Sequence, residues 1–91
     1  MIYYLIAIIR LLSEGIVKYI KRMRDLREDA DKTQQQIAEI LGTSQTMYAR
    51  YERGANELPI RHLLKLCDFY GVTTDYFLCR SNTPKGNTKK P

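Results

Sequence analysis

The chain has 91 residues, enough for one hydrophobic core and too few for two. Apolar residues supply 44% and charged ones 27%, a balance that excludes a wholly disordered chain. Fifteen Lys and Arg against ten Asp and Glu leave +5, which favours an anionic partner.

That charge lies in the flanks. Residues 1–22 carry Arg10, Lys18, Lys21 and Arg22 against Glu14, and residues 79–91 carry Arg80, Lys85, Lys89 and Lys90 with no acid. The middle, 23–78, has seven basic and nine acidic side chains and is net −2. Any nucleic-acid reading of the middle must therefore rest on where its side chains stand, since the net charge does not support it. Cys67 and Cys79, twelve apart, make no disulfide framework, so reduced thiols and a cytoplasmic setting are expected. The one histidine, His62, gives no ligand set at zinc spacing and no Cys-His nucleophile. With no paired carboxylates, phosphate loop or nucleophile elbow, neither an enzyme nor a metal or other cofactor is expected.

Eleven of the first twelve residues are apolar or Tyr, broken only by Arg10. A membrane-crossing helix needs about 20 apolar residues, and Arg10, Glu14 and Lys18 interrupt the run too early. A secretory signal would start basic and end in a small-residue cleavage site, and neither is present. Leu5, Ile9, Leu12, Ile16 and Ile20 recur at spacings of four, three, four and four, on one helical face that Ile2, Ile6 and Ile8 widen. Residues 1–18 thus read as an apolar, helical extension whose exposed patch needs a cover. Three explanations stay open: packing on the domain, a second subunit or a protein partner gripped through residues 1–20; an anionic lipid surface beside Lys18, Lys21 and Arg22; or an early start ahead of the natural beginning.

From Ile16 the spacing of Ile16, Ile20, Met23 and Leu26 predicts an amphipathic helix over about 16–30. Thr33-Gln34-Gln35-Gln36 reads as a capping box, followed by the apolar Ile37, Ala38, Ile40 and Leu41 and a left-handed Gly42. Ser44 caps a third helix that passes Tyr48 and Tyr51 and stops at Gly54. Pro59 suits a first helical turn, with Ile60, Leu63, Leu64, Cys67 and Tyr70 as the apolar face of a helix closed by Gly71. Thr73 or Thr74 caps a last helix carrying Tyr76, Phe77 and Leu78. No segment alternates with period two, so the fold class is all-α, a compact five-helix bundle. Residues 79–91 have nothing to bury and read as a basic disordered tail.

Two short helices joined by Gly42-Thr43-Ser44 fit a helix-turn-helix. The run Thr33-Gln34-x-x-Ile37-Ala38-x-x-Leu41-Gly42-x-Ser44-x-x-x-Tyr48-x-x-Tyr51-Glu52-x-Gly54 resembles the Cro- and repressor-type helix-turn-helix family, the XRE family, with its lambda-repressor-like fold. Leu26-Arg27 before it and Gly71-Val72-x-Thr74-Asp75-Tyr76 after it extend the likeness over 19–78. The resemblance implies a double-stranded DNA operator read in the major groove by helix 44–53, and a small repressor acting as a homodimer. It implies base contacts from Gln45, Thr46 and Arg50, residue types that pair with adenine, the thymine methyl and guanine. It implies phosphate contacts from Gln34, Thr43 and Arg53, and a structural ion pair between Arg27 and Glu52. Tyr48 and Tyr51 read as packing residues. Lys32, Met47, the register of Leu58-Pro59 and the upstream extension depart from the family pattern. A protein-binding module of antitoxin or adaptor type, using the apolar N-terminal helix, is the competing reading.

Overall fold

Backbone hydrogen bonding and the turns between helical runs divide the described residues into five helices. The computed structural model describes residues 2–85, with side chains at Leu5, Ile6 and from Lys18 onward. The elements are α1 (Ile2–Asp29), α2 (Gln34–Leu41), α3 (Gln45–Arg53), α4 (Ile60–Tyr70) and α5 (Thr74–Phe77). Among the described residues there is no strand, and no helix is long and apolar enough to cross a membrane.

The expected extension and the expected first helix are one element. α1 runs unbroken through Gly15 for 28 residues, about 42 Å at 1.5 Å per residue. It ends where Asp31 takes a left-handed conformation (φ 55°), one that Asp tolerates better than most residues. Lys32 N–H then donates to the Arg27 carbonyl at 3.1 Å, closing the turn. Of the apolar N-terminal stripe, Leu5 and Ile6 are exposed. The side chains of Ile9, Leu12 and Ile16 lie outside the described residues.

The helix-turn-helix is built from its caps. Thr33 Oγ1 accepts from Gln36 N–H at 3.1 Å while Gln36 Oε1 accepts from Thr33 N–H at 2.9 Å, so two orphan donors are satisfied reciprocally. Gly42 (φ 72°) turns the chain left-handed, and Ser44 Oγ caps α3 through Met47 N–H. Gly54 ends α3 at φ 75°, and it also sits where α1 comes close. A Cβ there would stand 2.8 Å from Ile20 Cδ1.

The core is Met23, Ile37, Ala38, Leu41, Tyr48, Tyr51, Leu66, Cys67 and Phe77, one or more from every helix. Around it pack Tyr19, Leu26, Ile40, Met47, Leu58, Leu63, Tyr70 and Val72. α4 is rolled relative to the sequence expectation. Ile60 (73% exposed) and Leu64 (50%) face outward, and His62 and Leu66 are buried in their place. A polar residue takes a core position there: the His62 ring packs tilted against Tyr51 at 5.9 Å between centroids. Pro59 is the N-cap, with ψ 151°, one position before the first turn of α4. Thr73, rather than Thr74, caps α5 through Tyr76 N–H, and Leu78 stands just past its end.

α5 is anchored to α1 by Arg22, whose guanidinium lies 3.9 Å over the Tyr76 ring and donates to the Tyr76 carbonyl at 2.6 Å. Residues 79–85 carry no helix, and Cys79 and Pro84 among them touch the domain. Thr73 N–H donates to the Pro84 carbonyl at 2.9 Å, and the Cys79 thiol points to the Lys18 carbonyl at 3.3 Å. Those bonds satisfy backbone groups at the start of α5 and along α1, a role the polar composition of 79–85 conceals. Residues 86–91, with Lys89 and Lys90, lie outside the described residues.

The two glycine turns of the helix-turn-helix should differ on mutation. Gly42→Ala meets open space and carries the left-handed backbone cost alone, about 1–2 kcal/mol. Gly54→Ala carries that cost and must also turn aside Ile20 Cδ1, the free end of a half-buried side chain, which adds roughly 0.5 kcal/mol. Urea unfolding of both variants should therefore rank Gly54→Ala as the less stable; equal midpoints would mean that α1 yields freely at Ile20.

Candidate nucleic-acid interface

The site is built outward from one carboxylate. Glu52 is in the last turn of α3, 7% exposed, and a buried charge of this kind requires partners. It has them from three helices. Arg27 on α1 donates to it twice, Nε to Oε2 at 2.7 Å and an Nη to Oε1 at 3.0 Å. Gln34, the first residue of α2, donates Nε2 to Oε1 at 3.1 Å, and the buried Tyr48 hydroxyl donates to Oε2. Arg27 also donates to the Lys32 carbonyl at 2.9 Å, which fixes the segment entering α2. Burial by itself would raise the Glu52 carboxyl; donation from Arg27, Tyr48 and Gln34 outweighs it and holds the group below its ordinary value of 4.5. Burial, and then donation to Glu52, pushes the Tyr48 phenol far up, so it stays a neutral donor.

From Glu52 the contacts pass outward to the surface. The Oε1 of Gln34 accepts from Gln45 Nε2 at 2.9 Å, so the first residues of α2 and α3 are linked side chain to side chain. Gln45 and Thr46 are exposed at the start of α3, and Arg50 is exposed one turn further on. Tyr48, Tyr51 and Glu52 are buried on the other side of the same helix. Tyr48 and Tyr51 pack edge to face at 6.3 Å between centroids, which makes them packing residues. Thr43 is half-buried in the turn, its N–H donating to the Ala38 carbonyl at 2.9 Å, and Arg53 is exposed at the end of α3.

The structure thus brings Arg27, Gln34, Gln45 and Glu52 into one connected group and leaves Thr46, Arg50 and Arg53 on the outward side of α3. Two details were not read from the sequence. Asn56, two residues beyond Gly54, accepts from Arg50 Nε at 2.8 Å. Gln34 bonds to both Glu52 and Gln45, so it ties the two helices together. The only sequence signal for the latter was the pair of glutamines standing just after two N-caps. Among the described residues no group of three His, Cys, Asp or Glu is placed to hold a metal ion.

The Helix-turn-helix family matches residues 23–77, more than half of the chain. The chain belongs to this family, in its Cro- and repressor-type form. This helix-turn-helix chain is 36% identical over 67 residues to the HTH-type transcriptional regulator ImmR of Bacillus subtilis, which is 74% of the chain and 53% of ImmR. It is 33% identical over 66 residues to the HTH-type transcriptional regulator YobD of the same organism, covering 72% of the chain and 59% of YobD. With the transcriptional repressor RstR of the cryptic phage CTXphi of Vibrio cholerae it shares 31% over 65 residues, 71% of the chain and 59% of RstR. The chain spans a little over half the length of the curated relatives it matches. No solved structure gives a significant match.

The hub makes the helix-turn-helix fold pH-sensitive on the acid side. Because Glu52 is held down in the folded chain, its contribution is complete above about pH 4.5 and is lost as pH falls through the folded value. His62 acts earlier. Burial, with Arg61 and Lys65 nearby, lowers it, so below about pH 6.5 the unfolded chain takes up a proton that the folded chain refuses. Unfolding free energy measured by urea from pH 7 to 3 should fall in two stages. Glu52→Gln, which leaves Arg27 without its counter-charge, should cost about 3 kcal/mol at pH 7 and remove the second stage. If the variant keeps the decline below pH 4.5, another carboxyl is responsible.

Proposed function

We propose that this chain is a sequence-specific double-stranded DNA-binding regulator of transcription, with residues 19–78 as its DNA-binding unit and α3 as its recognition helix. The observation that carries this reading is the division of α3. One face is fixed in the core through Tyr48, Tyr51 and Glu52, and the other offers Gln45, Thr46 and Arg50 to a groove. A major groove about 12 Å wide admits one such helix. In it Gln45 reads adenine, Arg50 reads guanine and the Thr46 methyl meets the thymine methyl. Gln34, Thr43 and Arg53 hold the backbone phosphates on either side, which fixes register without reading sequence. Such a regulator works by binding, without catalysis, in the cytoplasm where the DNA lies.

Repression is the regulatory sense we propose, supported by the likeness to RstR, which is itself a transcriptional repressor. A homodimer is proposed on physical grounds. One recognition helix covers only a few base pairs, and two copies related by a two-fold match half-sites one helical turn apart. The exposed Leu5 and Ile6 favour a second reading for residues 1–20, as the surface where a second copy or a protein partner is gripped.

Selection of bound duplexes from a random pool tests the proposal. The full chain should enrich two half-sites related by a two-fold, with centres about 34–36 Å apart. Against the enriched duplex, Gln45→Ala and Arg50→Ala should each lose about 1–3 kcal/mol of discrimination at one base pair. Gln34→Ala should weaken all duplexes through its lost phosphate contact and, because it also frees Gln45, should relax the preference at the base pair that Gln45 reads but at no other. If no motif is enriched, or if Gln45→Ala and Arg50→Ala bind as selectively as the parent, α3 is not the recognition helix.

A further inference from the structure

We infer that Asn56 is a positioning residue that sets Arg50 for base recognition, an inference that rests on the reading of α3 as the recognition helix. Asn56 is tied to position 50 twice. Its backbone N–H donates to the Arg50 carbonyl at 3.3 Å, beside the Ala55 N–H bond of 2.9 Å to the same oxygen. The left-handed Gly54 is what turns the chain back over the last turn of α3 and makes both bonds possible. The Asn56 side chain then accepts from Arg50 Nε at 2.8 Å. Asn56 is half-buried and Arg50 exposed, so the loop is the fixed partner and the arginine is the one held.

The chemistry of that bond decides what it does. A guanidinium has five N–H donors in one plane, and Asn56 occupies one of them, on Nε. The two terminal amines keep their donors, and these are the groups that a guanine O6/N7 edge requires for a bidentate contact. An unheld arginine gives up rotamer freedom when it meets a base, whereas one already bonded at Nε has given up much of it beforehand. The acceptor is a neutral amide, so it orients the guanidinium without neutralising the charge that attracts the DNA. A carboxylate at position 56 would take the Nε edge as a fork and compete with the base. Asn56 thereby extends the specificity apparatus beyond α3, into the loop.

The experiment is a double-mutant cycle on the full chain. The probes are the duplex enriched from a random pool and its single-base-pair variants. Arg50→Ala should flatten the preference at one base pair by about 5- to 150-fold. Asn56→Ala, which keeps the backbone bond, should flatten the preference at that same base pair by about 2- to 10-fold, leaving the other positions and the thermal midpoint unchanged. Added to Arg50→Ala, it should change nothing further. Asn56→Ala weakening every duplex alike would make the residue a phosphate contact or a loop brace, and would overturn the inference. An intact preference in Asn56→Ala, with the preference lost in Arg50→Ala, overturns the inference alone. An intact preference in Arg50→Ala overturns the reading of α3 and this inference with it.

Discussion

The Glu52 carboxylate is the interaction on which the rest of the molecule depends. It is a buried charge in a small core, and isolation would make it costly. Its four accepted hydrogen bonds come from α1, α2 and α3 itself, so satisfying it fixes three helices relative to one another. Apolar packing alone tolerates some sliding of short helices such as α2 and α3. A forked Arg27–Glu52 pair with a phenol and an amide on the same oxygens does not. The energetic return of such a pair over an apolar substitute is small, but the cost of removing one partner is large, and this asymmetry makes it a device for geometry more than for stability.

From that centre, positional order passes outward through Gln34 to Gln45, and separately through the Gly54 turn and Asn56 to Arg50. Both ends of the exposed face of α3 are therefore held, one by α2 and the other by the loop that leads to α4. Preorganisation of this kind lowers the ordering cost of binding, and it matters for a surface whose own segment, residues 23–78, carries a net charge of −2. On the proposed DNA-binding reading, long-range attraction would come from the basic flanks, residues 1–22 and 79–91, and short-range discrimination from side chains held in place.

Features with a local cause were legible in the sequence. The Thr33–Gln36 capping box, the Ser44 cap and the glycines at 42, 54 and 71 each follow from one backbone requirement, and each stands where the spacing put it. The ordered match from Thr33 to Gly54 was legible for the same reason, because caps, turn and apolar positions recur at fixed offsets. Features that depend on tertiary packing were not legible. The roll of α4 puts His62 in the core with its ring tilted against Tyr51, a position that hydropathy reads as out of place for a polar residue. The start of α1 was not legible as such, since the expected extension 1–18 and the expected helix from Ile16 are one unbroken element through Gly15. The contact of residues 79–85 with the start of α5 rests on one backbone bond, from Thr73 N–H to the Pro84 carbonyl, which composition cannot reveal. The Arg50–Asn56 bond depends on a rotamer and on the path of a loop, neither of which has a sequence period.

Amide chemical-shift mapping of the full chain, titrated with its enriched duplex, tests the central claim most directly. Changes should concentrate at Gln34, across Thr43 to Arg50 and at Asn56, with the outward face of α4 at Ile60 and Leu64 unaffected. Changes centred on α4, or on the exposed start of α1 at Leu5 and Ile6, with α3 silent, would contradict it.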